Sequence, residues 1–134
     1  MESQTTMTRK ELDQFRESLE SRRADILRML TRVEKEGRSL PGDYPQDLGD
    51  RSVANLTREL LFHHGTQQRA LLRQVEAALE RIREGTFGEC ISCGQQIAVK
   101  RLNAMPFTSY CRDCQERLER ETVTDEQLPQ RQRA

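Results

Sequence analysis

Tryptophan is absent from this sequence, other aromatic residues are scarce, and there is neither a net charge nor a long hydrophobic run. Aromatic residues make up 4% of the 134 positions, too few for a platform that stacks single-stranded bases. Lys and Arg total 22 and Asp and Glu also total 22, so the chain offers no bulk electrostatic attraction to nucleic acid or to an anionic membrane. We therefore predict no sequence-specific DNA binding, no membrane association, and a protein as the principal partner.

Membrane and export signals are also lacking. No segment approaches the roughly 18 consecutive apolar residues of a membrane span, and Met1 to Thr6 do not resemble the apolar region of a signal peptide. These absences predict a cytoplasmic protein. Because a reducing compartment disfavours structural disulfides, the four cysteines are expected to bind a metal or to carry out redox chemistry.

Apolar residues follow a helical period in the first part of the chain. Thr8 and Glu11 have the spacing of a capping box. Beyond them, a seven-residue spacing that Arg22 interrupts places apolar side chains along one face: Leu12, Phe15, Leu19, Ile26, Met29 and Val33. We predict a helix that ends at Gly37 and forms one half of a coiled coil.

A second helix is predicted after a turn-rich segment. Residues 37–50 contain two Pro, three Gly and three Asp residues, which favour a loop, and Asp50 is a candidate N-cap. The pattern then predicts a helix up to Gly85, with a register break and a loosened seam near Gly65. Its apolar residues are Val53, Leu56, Leu60, Leu61, Leu71, Val75, Leu79 and Ile82. Two helices joined by one loop most simply pack antiparallel, so we predict a long hairpin with an acidic tip.

The strongest motif consists of two Cys-x-x-Cys pairs, Cys90–Cys93 and Cys111–Cys114, with seventeen residues between them. Four thiolates in two tight turns suit one tetrahedral ion, and Gly94 suits the positive φ that such a turn often requires. A closed four-sulfur site leaves no position open for substrate, so we predict one structural Zn²⁺. Two alternatives are iron in the same site and a thioredoxin-like redox pair, which would need a βαβ setting and a single Cys-x-x-Cys.

These patterns together predict a mainly α protein in four parts. The parts are a flexible N-terminus over residues 1–8, an antiparallel coiled coil over 9–85 with its tip loop at 37–50, a zinc-ribbon module with a short C-terminal helix over 86–121 (here the cysteine module), and a polar tail over 122–134. No Ser-His-Asp set, phosphate loop or carboxylate pair is present in the sequence. We therefore predict no enzymatic activity.

Three other groups of side chains have two interpretations each. Asp43, Asp47 and Asp50 lie at the tip, where they either cap the second helix and solvate the loop or carry negative charge into a cavity of a partner. His63 and His64 are adjacent and point to different sides of a helix, which disfavours a metal site. Basic residues near the cysteines are expected to be solvated rather than to bind phosphate: Lys100, Arg101 and Arg112.

The spacing of residues around the cysteines is specific enough to indicate a family. Phe87-Gly88, Ile97, Arg101 and Pro106 stand at fixed distances from the four cysteines, and in this pattern the chain resembles the DksA/TraR family of zinc-finger regulators of bacterial RNA polymerase. Only Ile91 departs, where a polar or acidic residue is usual. The hairpin and the last helix follow the same plan. The resemblance implies a non-enzymatic regulator that binds core polymerase, inserts its coiled coil into the secondary channel and modulates initiation.

The same resemblance assigns roles to the tip. The family signature there is two Asp three residues apart, followed by Ala two residues on. Asp47 and Asp50 match it, whereas Ser52 replaces the Ala. The resemblance therefore implies that these residues modulate polymerase.

Positions that bind the alarmone ppGpp in DksA-type members differ more strongly. There, basic side chains on the second helix, in the ribbon and in the last helix contact ppGpp at the polymerase interface. The corresponding residues here are all uncharged: Gln67, Gln74, Met105 and Gln115. Because multiply charged phosphate requires Arg or Lys partners, we predict a regulator that does not respond to ppGpp.

A second hypothesis is a zinc-ribbon coiled-coil adaptor that binds another protein and does not control polymerase. Ser52 and the uncharged ppGpp positions favour the adaptor, whereas Asp47 and Asp50 favour the polymerase regulator. We expect the regulator to be a monomer.

Overall fold

The computed structural model describes residues 7–40 and 48–127, which form four helices joined by turns. In chain order the helices are α1 (Arg9–Ser39), α2 (Leu48–Glu84), α3 (Val99–Ala104) and α4 (Arg112–Gln127). The described residues contain no strand, and their only β pairing is an isolated antiparallel bridge between Glu89 and Gln96. The mainly α fold predicted from the sequence is confirmed, and the βαβ setting of a thioredoxin-like enzyme is not found in these residues.

Helices α1 and α2 form a long antiparallel hairpin. They contain 31 and 37 residues, which correspond to lengths of about 47 and 56 Å. Arg23 Nε and Glu76 Oε2 form an ion pair between the helices at 3.2 Å, and Val33 lies beside Gly65 further toward the tip. Rising residue numbers on α1 therefore meet falling numbers on α2, as predicted for a hairpin.

The hydrophobic core lies at the base of the hairpin and continues into the cysteine module. Along α1 the apolar cluster extends as far as Leu30, and along α2 it begins at Leu71. The rings of Phe15 in α1 and Phe87 in the cysteine module have centroids 5.3 Å apart. The buried members of this hydrophobic core are Phe15, Leu19, Ile26, Val75, Ala78, Phe87, Cys90, Ile97, Leu102 and Cys114. Hairpin and cysteine module therefore share one core.

The outer half of α2 buries small residues and exposes larger ones. Ala54 and Gly65 are buried, whereas the exposed fractions of Val53, Leu56 and Leu60 are 67%, 57% and 61%. A Cβ added to Gly65 would lie 3.7 Å from Val33 Cγ1, so the two helices approach closely there. The loosened seam predicted near Gly65 is therefore wrong, because α2 continues through Gly65 and buries this residue beside Val33 of α1.

Two helix ends agree with the sequence. Thr8 caps α1, since its Oγ1 accepts a hydrogen bond from the backbone N–H of Glu11 at 3.1 Å. Gly85 adopts a φ of 84° directly after α2, a conformation that ends a helix and that glycine adopts without strain. Among the described residues, no helix combines the length and the apolar character needed to cross a membrane.

Three other helix ends differ from the prediction. Helix α1 continues through Gly37 to Ser39, because Gly37 does not adopt a positive φ. Helix α2 begins at Leu48, which places Asp50 in its first turn and not at the N-cap. Helix α4 extends past Glu121 to Gln127. Gly37 and Asp50 were expected to mark the ends of helices, but each lies inside a helix.

Gly65→Ala is expected to stabilise the protein by about 1 kcal/mol, the difference in helix propensity between the two residues. The new methyl group would meet only the flexible end of Arg69, at 3.3 Å, and Val33 at an ordinary contact distance. The midpoint of urea unfolding measures the gain. Gly88→Ala is the contrasting variant and should destabilise, since Gly88 has a φ of 90°, which residues with a Cβ rarely adopt. A loss of stability in Gly65→Ala would contradict the prediction.

A four-cysteine metal centre at the base of the hairpin

The four cysteine sulfurs converge at one point. The Sγ atoms of Cys90, Cys93, Cys111 and Cys114 all lie within 4.8 Å of one another, and those of Cys93 and Cys111 are 3.8 Å apart. Sulfurs bound tetrahedrally to Zn²⁺ at about 2.3 Å are separated by about 3.8 Å. The donor set and its spacing therefore fit a four-thiolate zinc site.

Backbone hydrogen bonds shape the turn that presents the first cysteine pair. The N–H of Gly94 donates to the carbonyl of Cys90 at 2.9 Å, and the N–H of Cys90 donates to the carbonyl of Gln95 at 2.8 Å. Gly94 adopts a φ of 77°, which confirms the positive φ expected there. The turn folds tightly enough to direct both sulfurs of the pair to one side.

Further backbone hydrogen bonds join the first cysteine pair to the rest of the module. The N–H of Ile91 donates to the carbonyl of Ser109 at 2.9 Å, which links the first pair to the segment preceding Cys111. The N–H of Ile97 donates to the carbonyl of Gly88 at 2.7 Å and closes the turn from the other side. The two cysteine pairs are thus aligned by the polypeptide itself.

Cys90 and Cys114 differ in acidity. Burial opposes ionisation of Cys90, yet backbone hydrogen bonds from Cys111, Cys93 and Ser92 outweigh it and lower the pKa of Cys90 to about 6. Burial and, to a smaller extent, hydrogen bonds with the neighbouring thiols raise the pKa of Cys114 to about 11. Binding of a divalent cation must therefore displace protons from the cluster, most of all from Cys114.

The basic residues near the cysteines do not all face solvent. Arg112 is exposed and pairs with Glu116 at 3.2 Å, and Lys100 is also exposed, as expected. Arg101 instead is half-buried, and its Nε donates to the carbonyl of Tyr110 at 3.0 Å. The expectation of a solvated Arg101 is wrong, because the segment before Cys111 presents carbonyl groups that this side chain satisfies.

Arg117 contacts the metal centre directly. Its Nη2 donates to Cys114 Sγ at 3.3 Å from one turn further along α4. A cationic donor at this distance would favour the thiolate that a metal ion requires, in opposition to the burial that raises the pKa of Cys114. The i, i+3 spacing on a helix is the sequence signal that could have indicated this contact.

The cysteine module matches a family model, the prokaryotic dksA/traR C4-type zinc finger, over residues 85–120. A protein of Aquifex aeolicus is 35% identical over 120 residues, which cover 88% of this chain and 83% of that protein. The chain belongs to the DksA/TraR family. As a C4-type zinc finger of this family, with four cysteines gathered at one point, it carries one structural Zn²⁺.

Other DksA/TraR members resemble the chain well beyond the zinc finger. The RNA polymerase-binding transcription factor DksA of Escherichia coli K12 is 29% identical over 113 residues, which cover 84% of this chain and 70% of that protein. The structure of transcription factor DksA2 from Pseudomonas aeruginosa superposes with a TM-score of 0.77 at 25% identity, covering 92% of this chain and 94% of that one. The family resemblance thus includes the helical hairpin.

The predicted tip residues are only partly described. Asp50 and Ser52 are exposed in the first turns of α2. Asp43 and Asp47 lie outside the described residues. The placement of Asp50 and Ser52 separates the tip from the metal centre by most of the length of the hairpin.

The four positions that correspond to family ppGpp contacts lie on several elements. Gln67 and Gln74 are exposed on α2, and Met105 follows α3 with 39% of its surface exposed. Gln115 on α4 is half-buried, and its Nε2 donates to Glu119 Oε1 at 3.0 Å. The side-chain amide of Gln115 is therefore hydrogen-bonded to a carboxylate, and this position provides no positive charge.

The histidines take no part in a metal site in the described part of the chain, where the four cysteines form the one candidate cluster. His64 Nε2 lies 2.9 Å from Met29 Sδ across the hairpin, and the His63 ring packs edge-on against Phe62. Each histidine therefore contacts another side chain of the hairpin.

Proposed function

We propose that the chain is a non-enzymatic transcription regulator that binds core RNA polymerase and reaches through its secondary channel to modulate initiation. The observation that carries the proposal is the extent of similarity to E. coli DksA, whose name describes it as RNA polymerase-binding. That similarity covers 113 residues, whereas the zinc finger alone spans residues 85–120. The similarity therefore includes the helical hairpin as well as the zinc finger. We propose that the cysteine module and the hairpin base bind polymerase and that the tip of the hairpin modulates initiation.

The hairpin supports this proposal by its length and charge distribution. An α2 of 37 residues extends about 56 Å, so it can carry an acidic group deep into a channel while the shared core stays outside. Asp50 is exposed at that end. We propose that Asp47 and Asp50 together deliver negative charge near the catalytic centre, and that Ser52 modulates their effect.

Co-purification with core RNA polymerase tests the proposal. In size-exclusion chromatography the zinc-loaded chain should elute alone as a monomer and should co-elute with purified bacterial core enzyme. It should show no preference for promoter DNA over random DNA. The proposal would be overturned if no complex formed at micromolar concentrations. That result would instead support the zinc-ribbon adaptor, which Ser52 at the tip favours.

Adding ppGpp is expected to leave the effect of this protein on initiation nearly unchanged. The four family contact positions provide no cation, and each missing charge-assisted hydrogen bond is worth roughly 1.5 to 3 kcal/mol. Initiation should be measured with and without ppGpp, using polymerase that lacks its other ppGpp site. A large synergy would show that different residues form a pocket.

A further inference from the structure

Three arginines from three helices converge on the short segment that leads into the second cysteine pair. Arg22 of α1, Arg81 of α2 and Arg101 of α3 all contact residues 107–110. Arg22 occupies the position where the apolar seam of α1 is interrupted. The segment is therefore attached to both arms of the hairpin as well as to its own module.

Arg101 makes the most specific of these contacts. Its Nε donates to the carbonyl of Tyr110 at 3.0 Å, and its Nη2 donates to Thr108 Oγ1 at 3.4 Å. The Thr108 hydroxyl in turn donates to the same Tyr110 carbonyl at 3.2 Å. Because Tyr110 directly precedes Cys111, this network fixes the peptide that presents a zinc ligand.

Thr108 is the point at which the hairpin meets this network. It is buried, with 7% of its surface exposed. Arg81 Nη2 of α2 donates to its carbonyl at 3.4 Å. This hydrogen bond is partly buried, and the same burial lowers the pKa of Arg81 although the charge of Glu84 opposes the shift.

Arg22 completes the arrangement from the other arm. Its guanidinium carbon lies 5.5 Å from the centroid of the Phe107 ring, within the range of a cation–π interaction. A charged residue in an apolar seam is unfavourable unless it has such a partner. The interruption of the seam is thus explained by a contact to the cysteine module.

We propose that Arg22, Arg81 and Arg101 form a clamp that holds residues 107–111 against the base of the hairpin, with Arg101 as the positioning residue for Cys111. Opening of the metal site then requires the clamp to open, so the hairpin controls how fast zinc leaves. This coupling is independent of whether the chain binds polymerase. Groups that hydrogen-bond directly to metal ligands typically change metal affinity 10- to 100-fold when removed; Arg101 acts through the peptide next to the ligand, so we expect an effect at the lower end of that range.

Zinc release from the full-length loaded protein tests the clamp. The rate of transfer to a colorimetric chelator should rise about tenfold or more in Arg101→Gln, and it should also rise clearly in Arg81→Gln, although Arg81 lies in the hairpin. Arg112→Gln is the matched control, because it removes the same charge beside Cys111 from an exposed side chain that pairs with Glu116 and contacts neither Thr108 nor Tyr110 in the described part of the chain. Its release rate should stay within about twofold of wild type. The proposal would be overturned if zinc left Arg101→Gln and Arg81→Gln no faster than it leaves the control Arg112→Gln.

Two further measurements separate positioning from general destabilisation. Co²⁺-loaded Arg101→Gln should keep the absorption of a four-thiolate tetrahedral site, since all ligands remain; loss of that spectrum would contradict a positioning role. Thr108→Val removes the hydroxyl that joins Arg101 to Tyr110. In a double-mutant cycle on release rates, Arg101→Gln and Thr108→Val should be strongly non-additive, whereas independent effects would refute the shared network. If Arg101→Gln does not fold, the release rate of Arg81→Gln compared with that of Arg112→Gln decides the outcome: equal rates would overturn the proposal.

Discussion

Replacing Cys90 by Ser is expected to unfold the cysteine module and to leave the hairpin frayed. Structural zinc contributes on the order of 10 to 16 kcal/mol of apparent folding free energy in zinc-finger peptides, which exceeds the total stability of many small domains. Cys90 and Cys114 also belong to the buried core that joins the module to α1 and α2. Loss of the metal should therefore weaken the base of the hairpin as well as the finger.

Thermal melting followed by circular dichroism, together with metal analysis, checks this expectation. Purified wild type should contain close to one equivalent of zinc, and a strong chelator should reproduce the melt of Cys90→Ser. Glu89→Gln is a suitable control, because it alters an exposed neighbour and no ligand. A cooperative melt that neither chelator nor Cys90→Ser changes would contradict a structural metal.

Acidification should release the metal by the same chemistry. Zinc binds thiolates, and without metal the pKa of Cys114 is raised to about 11, so protons compete for the site at neutral pH and more strongly below it. This direction of the pH dependence follows from the ligands themselves.

The metal centre could be predicted from the sequence because its determinants are local. The first Cys-x-x-Cys pair lies in one tight turn, in which Gly94 adopts the required backbone conformation. The second pair lies not in a separate turn, as predicted, but at the start of α4, where Cys111 precedes the helix and Cys114 lies in its first turn. The hairpin was predictable for a similar reason, since the spacing of Phe15, Leu19 and Ile26 places them on one buried face. Local spacing sufficed wherever a single element determined the structure.

The clamp could not be predicted, because it depends on contacts between distant parts of the chain. Arg22 meets Phe107 and Arg81 meets Thr108 only after the hairpin has docked on the module. The sequence predicted a solvated Arg101 and made no prediction for the contacts of Arg22 and Arg81. The structure instead uses their charge to satisfy carbonyl groups and an aromatic ring at the junction.

The outer seam of α2 shows a second limit of pattern analysis. Hydrophobicity favours Val53, Leu56 and Leu60 as packing residues, but they are exposed, and Ala54 and Gly65 are buried instead. Close approach of two helices selects small residues, which a hydrophobic pattern ranks low. The exposed apolar residues lie on the tip side of the hairpin, which is the part proposed to enter the polymerase.

Asp47→Asn and Asp50→Asn are expected to retain binding to core polymerase and to lose most of the effect on initiation. We expect the hairpin base and the cysteine module to provide the affinity for polymerase. The tip would instead place negative charge close to the active-site metal, the nucleotides and mobile polymerase elements. Asn preserves the shape of the side chain and removes only the charge. Because Asp50 lies in the first turn of α2, its replacement costs the favourable helix-dipole interaction of about 0.3 to 1 kcal/mol, too little to unfold the hairpin.

Binding and activity must be measured on the same preparations for this test to be decisive. The melting temperatures of both Asn variants should stay close to wild type, and complex formation with core polymerase should be unchanged, while run-off transcription loses its response. Ser52→Ala, which restores the residue usual in the family, should keep or strengthen the response. If both Asn variants fold, bind and regulate like the wild type, charge at the tip has no role in regulation, and the secondary-channel mechanism proposed for this chain must be abandoned.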